Sequence, residues 1–242
     1  MTEASADKPF AGQYALVTGA SRGIGAATAL ALAEAGAHVI LTARDTKALE
    51  AVEDAIHETG GSATIAPLDL SEPDGVARLA AAVAERWERL DILVVNAAFL
   101  PPAMPVHQIE PKGLSQALTV NVLATQSLIA GFDPLLRKSG NPRVIGLTSS
   151  VGAEPRAYWG GYAASKAAFD VLLECYVQET ARVSKIRVAI VDPGATRTQM
   201  RARAFPGEDP ATVKPPEAVA ARIVALLQED FASGHRERVD ND

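Results

Sequence analysis

The sequence holds little that would support a disulfide, a metal site or a membrane span. Its one cysteine, Cys175, cannot form an intrachain disulfide, and its place in an apolar helical stretch predicts a buried, inert thiol. The four histidines are scattered without the spacing of metal ligands, so we expect no metal site. No apolar run reaches the length of a transmembrane helix. A net charge of −6 gives no reason to expect nucleic acid or an anionic membrane as a partner.

The start and the length of the chain indicate its domain organisation. The opening residues, MTEASADKPF, are polar and acidic and lack the apolar centre of a secretory signal, so we expect a cytoplasmic protein with a flexible tail over residues 1–11. The 242 residues, 48% of them apolar, suffice for one large α/β domain or two small ones. No segment rich in Pro, Gly or Ser divides them, which favours a single domain over residues 12–242.

What the sequence does contain is a regular alternation of strand and helix patterns. Short apolar runs predict buried parallel strands in YALVTGA, HVILTA, SATIAPLDL, DILVVNAA, PRVIGLTSS and IRVAIVDPG. Helical patterns follow them after Gly23 and over residues 45–59, 72–89, 111–138, 158–183 and 216–229. Right-handed crossovers then give an α/β fold with one doubly wound parallel sheet and helices on both faces. The charged C-terminal stretch GHRERVDND is a weak candidate for a last strand, and the pattern leaves that point open.

A glycine-rich turn joins the first strand to the first helix. In TGASRGIG, residues 18–25, the glycines stand at 19, 23 and 25, spaced G-x-x-x-G-x-G. Such a turn lets a pyrophosphate approach the helix N-terminus, where free N–H groups and the helix dipole favour negative charge. The plainer interpretation is a tight turn with no ligand, but the position inside a βαβ unit favours phosphate binding.

A tyrosine and a lysine stand four residues apart in GGYAASKAAFD, residues 160–170. Tyr162 and Lys166 are therefore neighbours on one helix face. The spacing alone is a modest signal, since two such residues also meet by chance on wet helix surfaces.

Further motifs along nearly the whole chain indicate that Tyr162 and Lys166 form a functional pair. TGASRGIG, the NAA at 96–98, Asn121, the TSS at 148–150, YAASK at 162–166 and DPGATRT at 192–198 occur in this order. Between residues 10 and 230 the sequence resembles the short-chain dehydrogenases/reductases. It is similar to bacterial oxidoreductases of that family without assigned substrates and, more distantly, to the 3-oxoacyl-carrier-protein reductases. The resemblance implies a single Rossmann domain, NAD(H) or NADP(H) as cofactor, and hydride transfer between a ketone and a secondary alcohol.

The resemblance also implies roles for individual residues. Tyr162 is the acid in reduction and the base in oxidation, and Lys166 lowers the pKa of that tyrosine and holds the nicotinamide ribose. Ser149, thirteen residues before Tyr162, is preferred over Ser150 for binding the substrate oxygen. Asn121 marks a local helix break with a water relay to Lys166; the plainer interpretation is a polar surface residue.

Further contacts follow from the same resemblance. The implied cofactor-binding residues are Gly19, Ser21, Arg22, Gly23, Ile24, Gly25, Arg44, Asp69, Leu70, Asn96, Ala97, Ala98, Tyr162, Lys166, Pro193, Gly194, Thr196 and Thr198. The expected substrate pocket comprises Ser149, Glu154, Tyr158 and Trp159, with further lining from Phe99, Leu100, Arg156 and the loop 197–214.

The residues after the second strand bear on the choice of cofactor. NAD selectivity needs an acidic residue at the end of this strand, and that position is Ala43. Arg44 follows and suits a 2′-phosphate, which Arg22 could reach from the other side. Asp45 is better placed to cap the next helix than to contact a ribose. The sequence therefore favours NADP(H), with NAD(H) as the alternative.

One motif departs from the family pattern. The usual N-N-A-G after the fourth strand is VNAA here, with Val95 in place of an asparagine that ties the central strands together and Ala98 in place of a glycine. A non-catalytic nucleotide-binding regulator would begin with such losses, and a dehydratase or epimerase on the same fold is a further alternative. Intact Ser149, Tyr162 and Lys166 favour the oxidoreductase.

Two larger features complete the expectations. Residues 196–214 are long, polar and broken by Pro and Gly, which predicts a mobile lid over the site. The apolar helices 111–138 and 158–183 correspond to the helices through which the family forms dimers and tetramers, so we expect a homo-oligomer; simple burial against the sheet is the alternative.

Overall fold

The computed structural model describes residues 8–240, which form a seven-stranded parallel sheet covered by helices. The strands are β1 (Tyr14–Thr18), β2 (His38–Thr42), β3 (Ser62–Ile65), β4 (Ile92–Val95), β5 (Arg143–Leu147), β6 (Arg187–Asp192) and β7 (His235–Arg238). Their order is β3-β2-β1-β4-β5-β6-β7, and every pairing is parallel. The chain reverses its direction across the sheet between β1 and β4, and open α/β folds bind ligands at that point. The doubly wound α/β fold predicted from the sequence is confirmed.

The helices bury the two faces of this sheet. They are α1 (Gly23–Glu34), α2 (Thr46–Glu58), α3 (Gly75–Arg86), α4 (Pro111–Leu118), α5 (Ala124–Leu136), α6 (Ser150–Ala153), α7 (Gly160–Thr180), α8 (Gln199–Ala204) and α9 (Pro216–Gln228). Leu32, Ile56 and Ile223 bring α1, α2 and α9 into the core on one face. Phe132 and Leu173 bring α5 and α7 into the core on the other. The sequences of the central strands are continuous apolar runs because helices cover both faces of these strands.

The N-terminal segment differs from the expected tail where the structure describes it. Residues 1–7 lie outside the described residues. Phe10 is buried in the core, and its backbone N–H donates to the carbonyl of Ala35 at 2.9 Å. Residues 8–11 therefore pack against the end of α1, because Phe10 supplies apolar surface that the short polar stretch around it conceals.

The charged C-terminal stretch forms the edge strand β7, which pairs with β6. Its side chains alternate between half-buried and exposed, so it is not a fully buried strand. Ion pairs accommodate the charges: Arg236 donates to Asp170 at 3.1 Å and to Glu174 at 2.6 Å, both on α7. The paired charges explain how so polar a sequence joins the sheet.

Cys175 is exposed, so the expectation of a buried thiol is wrong. On α7 the side chains that face the core are those of Phe169, Leu173 and Tyr176, and Cys175 lies on the opposite side of the helix.

Within residues 8–240 no helix is long and apolar enough to span a membrane. No group of three or more His, Cys, Asp or Glu side chains in that range could hold a metal ion.

Candidate active site

A cavity of about 1,220 Å³ opens at the carboxyl ends of the central strands, where the chain reverses direction. Its lining comes from the glycine turn, the segments after β2, β3, β4 and β6, the end of β5, the start of α7, most of α8 and part of α4. The site is therefore assembled from elements distant in sequence, each placed there by the end of a parallel strand.

The glycine turn is closed against Asn96. Gly19 and Gly23 have φ of 66° and 56°, a backbone conformation that favours glycine. A Cβ at Gly25 would lie 2.2 Å from the carbonyl oxygen of Gly19, so Gly25 brings α1 close to the turn and does not line the cavity. Gly23 and Ile24 at the start of α1 do line it, so the amide end of the helix faces the cavity. This geometry fits a phosphate group.

Thr18 and Asn96 tie the two central strands together. The Thr18 hydroxyl donates to the Val94 carbonyl at 3.2 Å and accepts the backbone N–H groups of Asn96 and Ala97 at 3.0 and 3.1 Å. The Asn96 amide donates to the Thr18 carbonyl at 2.8 Å. The connection expected to be lost with valine at position 95 is thus present through other groups. Ala97 and Ala98 line the cavity beside it.

Tyr162 and Lys166 lie buried together on α7 and line the cavity. Their exposed fractions are 8% and 2%, so they are not a pair on a wet helix surface. The Lys166 ammonium donates to the carbonyl of Leu147, at the end of β5, at 2.6 Å. It lies 5.9 Å from the centre of the Tyr162 ring.

Burial governs the protonation of both groups. It raises the pKa of the Tyr162 hydroxyl, with a smaller contribution in the same direction from Asp192. The expected lowering of the Tyr162 pKa by Lys166 is therefore wrong, because desolvation, which disfavours the phenolate, sets the direction of the shift. Burial also lowers the pKa of Lys166 to about 8, against the opposing effect of Asp170 and Asp192. At neutral pH the tyrosine holds its proton and the lysine is mostly charged.

Asn121 lies in a π-helical turn, Thr119–Leu123, between α4 and α5. Its side chain is 1% exposed; it accepts the backbone N–H of Phe99 at 2.7 Å and donates to the Phe99 carbonyl and the Ser165 hydroxyl, each at 2.9 Å. The expected local helix break is present, and the surface interpretation is wrong. Asn121 does not line the cavity; it joins the segment after β4 to the residue before Lys166.

The residues expected around the substrate are only partly brought together. Tyr158 and Trp159 line the cavity, whereas Ser149 and Glu154 do not. Ser149 is half-buried and lies between Thr148, which lines the cavity, and the first residue of α6. Glu154 is exposed because it follows the single turn of α6, where the chain has already left the cavity wall.

The opposite end of the cavity carries the arginines considered for cofactor choice. Ala43 and Arg44 line it, and the Arg44 guanidinium lies 3.8 Å from the Asp69 carboxylate. Leu70 also lines this end. Asp45 accepts the backbone N–H of Ala48 at 3.2 Å, which confirms its predicted role as the cap of α2.

The segment predicted as a lid contains α8 and lies against the cavity. Pro193 and Thr198 line it, and Thr198 caps α8 by accepting the N–H of Arg201 at 3.1 Å. Gly194, with φ of 62°, and buried Thr196 shape the loop without lining the cavity. The Arg22 guanidinium donates to Gln199 of α8 at 2.7 Å, so the glycine turn and this segment touch.

Several lining residues were not predicted. They are Thr42, Leu68, Pro101, Pro102, Ala103, Gln116, Val120, Leu147, Thr148, Gly161 and Pro216. Gln116 and Val120 come from α4 and the π-helical turn, whose approach to the cavity depends on tertiary packing. Thr148 stands directly before the predicted serine, and its position at a strand end was the available signal.

Comparisons with known proteins agree on one family. The family model described as short chain dehydrogenase matches residues 13–209. The oxidoreductase YciK of Escherichia coli K12 is 38% identical over 218 residues, covering 89% of this chain and 86% of that protein. A short chain dehydrogenase of Shigella flexneri 2a, solved in complex with NADP, has a TM-score of 0.92 at 34% identity and covers 96% of this chain and 99% of its own. One from Escherichia coli CFT073, solved with NADPH, has a TM-score of 0.92 at 35% identity, covering 97% and 99%.

Proposed function

The chain belongs to the short-chain dehydrogenase family of NAD(P)-dependent oxidoreductases, and from that premise we propose that it uses NADP(H) to interconvert a ketone and a secondary alcohol, with Tyr162 as the acid and base. The observation that carries the proposal is the burial of Tyr162 and Lys166 in the same cavity as the glycine turn. A proton donor and a phosphate cradle in one cavity suit a reaction between a nucleotide cofactor and a carbonyl group.

The described residues fit the cofactor along the length of the cavity. The glycine turn, from Gly19 to Ile24, would hold the pyrophosphate. Arg44 and Arg22 would bind the 2′-phosphate, and the NADP and NADPH complexes of the similar structures support that choice. Asp69, Leu70, Asn96, Ala97 and Ala98 would contact the adenosine side, and Tyr162, Lys166, Pro193 and Thr198 the nicotinamide side. When bound, the nicotinamide ring supplies or accepts the hydride.

The protein groups handle the proton. Because burial raises the pKa of Tyr162, its hydroxyl is protonated at neutral pH and can donate to the oxygen of a ketone as negative charge develops there. The Lys166 cation stabilises the phenolate that this donation leaves behind. Ser149, beside the cavity, would hydrogen-bond the same substrate oxygen. Asn121 acts as a positioning residue, because it fixes Ser165, the neighbour of Lys166.

Burial of a lysine also bears on the alternatives. Placing an ammonium group at 2% exposure opposes folding unless that charge is compensated, and a regulator that only binds the nucleotide has no need of a buried proton donor beside it. This favours turnover over sensing. The burial of these groups does not distinguish redox chemistry from epimerisation, since both reactions use a buried acid and base. Membership of the family is what favours redox chemistry.

The test is the substitution Tyr162→Phe, which removes the hydroxyl and keeps the ring. We expect kcat to fall by roughly 10²–10⁴-fold or more, while the Kd for NADPH stays within a few-fold of that of the wild type. Turnover is read from nicotinamide absorbance on a panel of ketones and alcohols, and binding from a titration.

The matched control is Tyr176→Phe on the same helix. Tyr176 is also buried, but its hydroxyl donates to Asp133 at 2.8 Å and lies outside the cavity. We expect this variant to retain turnover even if it is less stable. Near wild-type kcat in Tyr162→Phe would show that another group donates the proton.

A further inference from the structure

The lining of the cavity beside Tyr162 carries information about the substrate. Resting on the function proposed above, we infer that the substrate is a carbonyl compound bearing a bulky, ring-sized apolar group and no cationic group. The ring would lie between the 99–103 loop and an aromatic wall made of Tyr158 and Trp159, with Phe205 stacked on Trp159 outside the cavity lining.

One side of this space is an apolar loop. Leu100 packs with Trp159 against the small buried cluster that contains Tyr162 and Val151. Pro101, Pro102 and Ala103 continue the lining outward from Leu100. A group attached to a carbonyl at Tyr162 would therefore leave water and enter an apolar surface, which favours apolar substituents.

The other side is aromatic and held in place. The Trp159 ring lies 6.1 Å from that of Tyr162 and stacks on Phe205 at 5.7 Å with 29° between the planes. The Arg201 guanidinium lies 3.7 Å from the centre of the Phe205 ring, and Glu208 holds that guanidinium through two hydrogen bonds. Trp159, supported by Phe205 in this way, offers a flat surface to the cavity, and flat apolar rings gain most from stacking on it.

Tyr158 extends the aromatic wall to the mouth of the cavity in a strained conformation. Its φ is 72°, a region that non-glycine residues rarely adopt, and its side chain is exposed, at 60% for the residue. Its carbonyl accepts the N–H of Met104 at 2.9 Å, which secures the turn to the facing loop. Strained residues cluster at binding sites, and here the strain presents an aromatic ring at the entrance.

The charges and polar groups of this region exclude other substrate classes. The carboxylates that line the cavity, Asp45 and Asp69, lie at its opposite end, after β2 and β3. The other charged residues that line the cavity outside the nucleotide end are the cations Lys166, Arg197 and Arg203, whereas Asp192, which acts on Tyr162 and Lys166, does not line it. A positive substrate would therefore meet cations at the cavity surface and be repelled.

Of the neutral polar side chains on this part of the lining, Thr198 caps α8 and Gln199 accepts from Arg22, which leaves mainly Gln116 and Thr148 for a substrate. A polyhydroxylated sugar would therefore replace only part of the hydrogen bonds that it loses to water.

The experiment compares matched carbonyl compounds with NADPH and the purified wild-type chain. Methyl naphthyl ketone, acetone and dihydroxyacetone test the ring and the polar groups; 4-acetylbenzyl alcohol and 4-acetylbenzylamine test the charge. We expect kcat/KM for the naphthyl ketone to exceed that for either small ketone by at least about tenfold, and the neutral member of the charge pair to be preferred by a similar factor.

Variants locate the preference in the aromatic wall. Trp159→Ala should reduce the ratio of naphthyl ketone to acetone by about tenfold, and Phe205→Ala, which removes the ring that supports Trp159, should reduce it by a smaller factor. Trp159→Leu and Phe205→Leu are milder versions should the alanine variants fail to fold. Trp87→Ala is the control, because Trp87 packs against Tyr14 and His38 outside the cavity. That variant should keep the wild-type ratio.

The outcomes separate this inference from the function beneath it. Preference for acetone, dihydroxyacetone or the amine, with turnover intact, would overturn the inference and leave the carbonyl reductase standing. An unchanged ratio in all four Trp159 and Phe205 variants would also overturn it. No turnover of any of these carbonyls by a protein that binds NADPH would overturn the proposed function, and the inference with it.

Discussion

Lys166 is a buried cation whose charge depends on nearby carboxylates. Burial lowers its pKa to about 8, and Asp170 and Asp192 act in the opposite direction. Asp170 stands one helical turn beyond Lys166, is itself buried and accepts from Arg236 of β7 at 3.1 Å. Its other carboxylate oxygen has no hydrogen-bond partner among residues 8–240. The charge of the lysine is thus linked to the edge strand of the sheet through one carboxylate.

We expect Asp170→Asn to shift the pH dependence of turnover. The substitution removes a carboxylate that raises the pKa of Lys166, so burial lowers this pKa further below about 8. Lysine is charged below its pKa, and the cation is therefore lost at a lower pH. The alkaline limb of the kcat profile should move down by roughly one pH unit, measured between pH 6 and 10.

Glu174→Gln is the control for that substitution. Glu174 is the second carboxylate that accepts from Arg236, but it is exposed and does not contribute to the pKa of Lys166. Its profile should match that of the wild type. Equal shifts in both variants would mean that the loss of the Arg236 contact, and not the charge beside Lys166, alters turnover.

Arg44 is the residue on which the cofactor preference depends most directly. Its side chain is exposed at the cavity end, and its nearest charged partner, Asp69, is 3.8 Å away. Because the Arg44 guanidinium is paired only weakly with Asp69, it can turn to bind a 2′-phosphate. We expect Arg44→Ala to reduce the preference for NADPH over NADH by about 1.5–3 kcal/mol. Titration of both reduced cofactors measures this, and tighter binding of NADH by the wild type would contradict it.

At the level of helices and strands, the sequence predicts what depends on local pattern. Five of the strands predicted from apolar runs are covered on both faces, and such a parallel strand needs an apolar run. The sixth, β3, lies at the edge of the sheet and has no buried residue, so the expectation of a buried strand there is wrong. The break at Asn121 was expected only through the family resemblance. Its cause is contact with Phe99 and Ser165, which lie 22 and 44 residues away in sequence. No local pattern encodes a partner at that distance.

The same limit explains the other differences. Helix α8 lies in a segment predicted to be loop, and its side chains are fixed by Arg201 with Glu208 and by the stacking of Phe205 on Trp159. Phe10 is buried and Cys175 exposed because burial depends on which neighbour covers a side chain. The order of elements was predictable; the contacts that complete the candidate site were not.

The lid segment has contacts that suit opening and closing. Its two ends are joined, since the N–H of Arg197 donates to the carbonyl of Lys214 at 2.8 Å. Between the ends, α8 reaches the glycine turn through the side chain of Gln199, which accepts from the exposed Arg22 guanidinium. Side-chain contacts of this kind are easily exchanged for contacts to bound molecules.

We expect residues 196–214 to gain hydrogen-exchange protection when NADPH and product bind. The glycine turn and α8 would then share contacts with the cofactor, which lowers the frequency of opening. Helix α9 is the internal reference, because Val219, Ile223 and Leu226 anchor it in the core. Equal protection of the lid segment with and without cofactor and product would contradict the prediction.

Across the whole molecule, the two halves of the sheet position different parts of the candidate site. The strands β1, β2 and β3 end near the glycine turn and Arg44, which suit the nucleotide, whereas β4, β5 and β6 lead to the Tyr162 end and the lid. The two halves meet where Thr18 and Asn96 join β1 to β4. Helix α7, which supplies Tyr162 and Lys166, must therefore keep its position relative to the whole sheet. One face of α7 packs on the sheet, so a further contact that stabilises the helix would have to form on its outer face.

That outer face is the basis for the last prediction, a homo-oligomer formed through the helices of residues 111–138 and 158–183. Leu123 at the end of the π-helical turn and Val171 on α7 are 60% and 56% exposed, which leaves large apolar side chains uncovered on both. Covering such residues with a second copy removes apolar surface from water. Leu123→Glu combined with Val171→Glu should lower the mass in light scattering to that of a monomer. Ala51→Glu, at an exposed position of α2 on the opposite face of the sheet, should keep the wild-type mass. A wild-type chain that is already monomeric at micromolar concentration, or an unchanged mass in the double variant, would contradict the predicted interface.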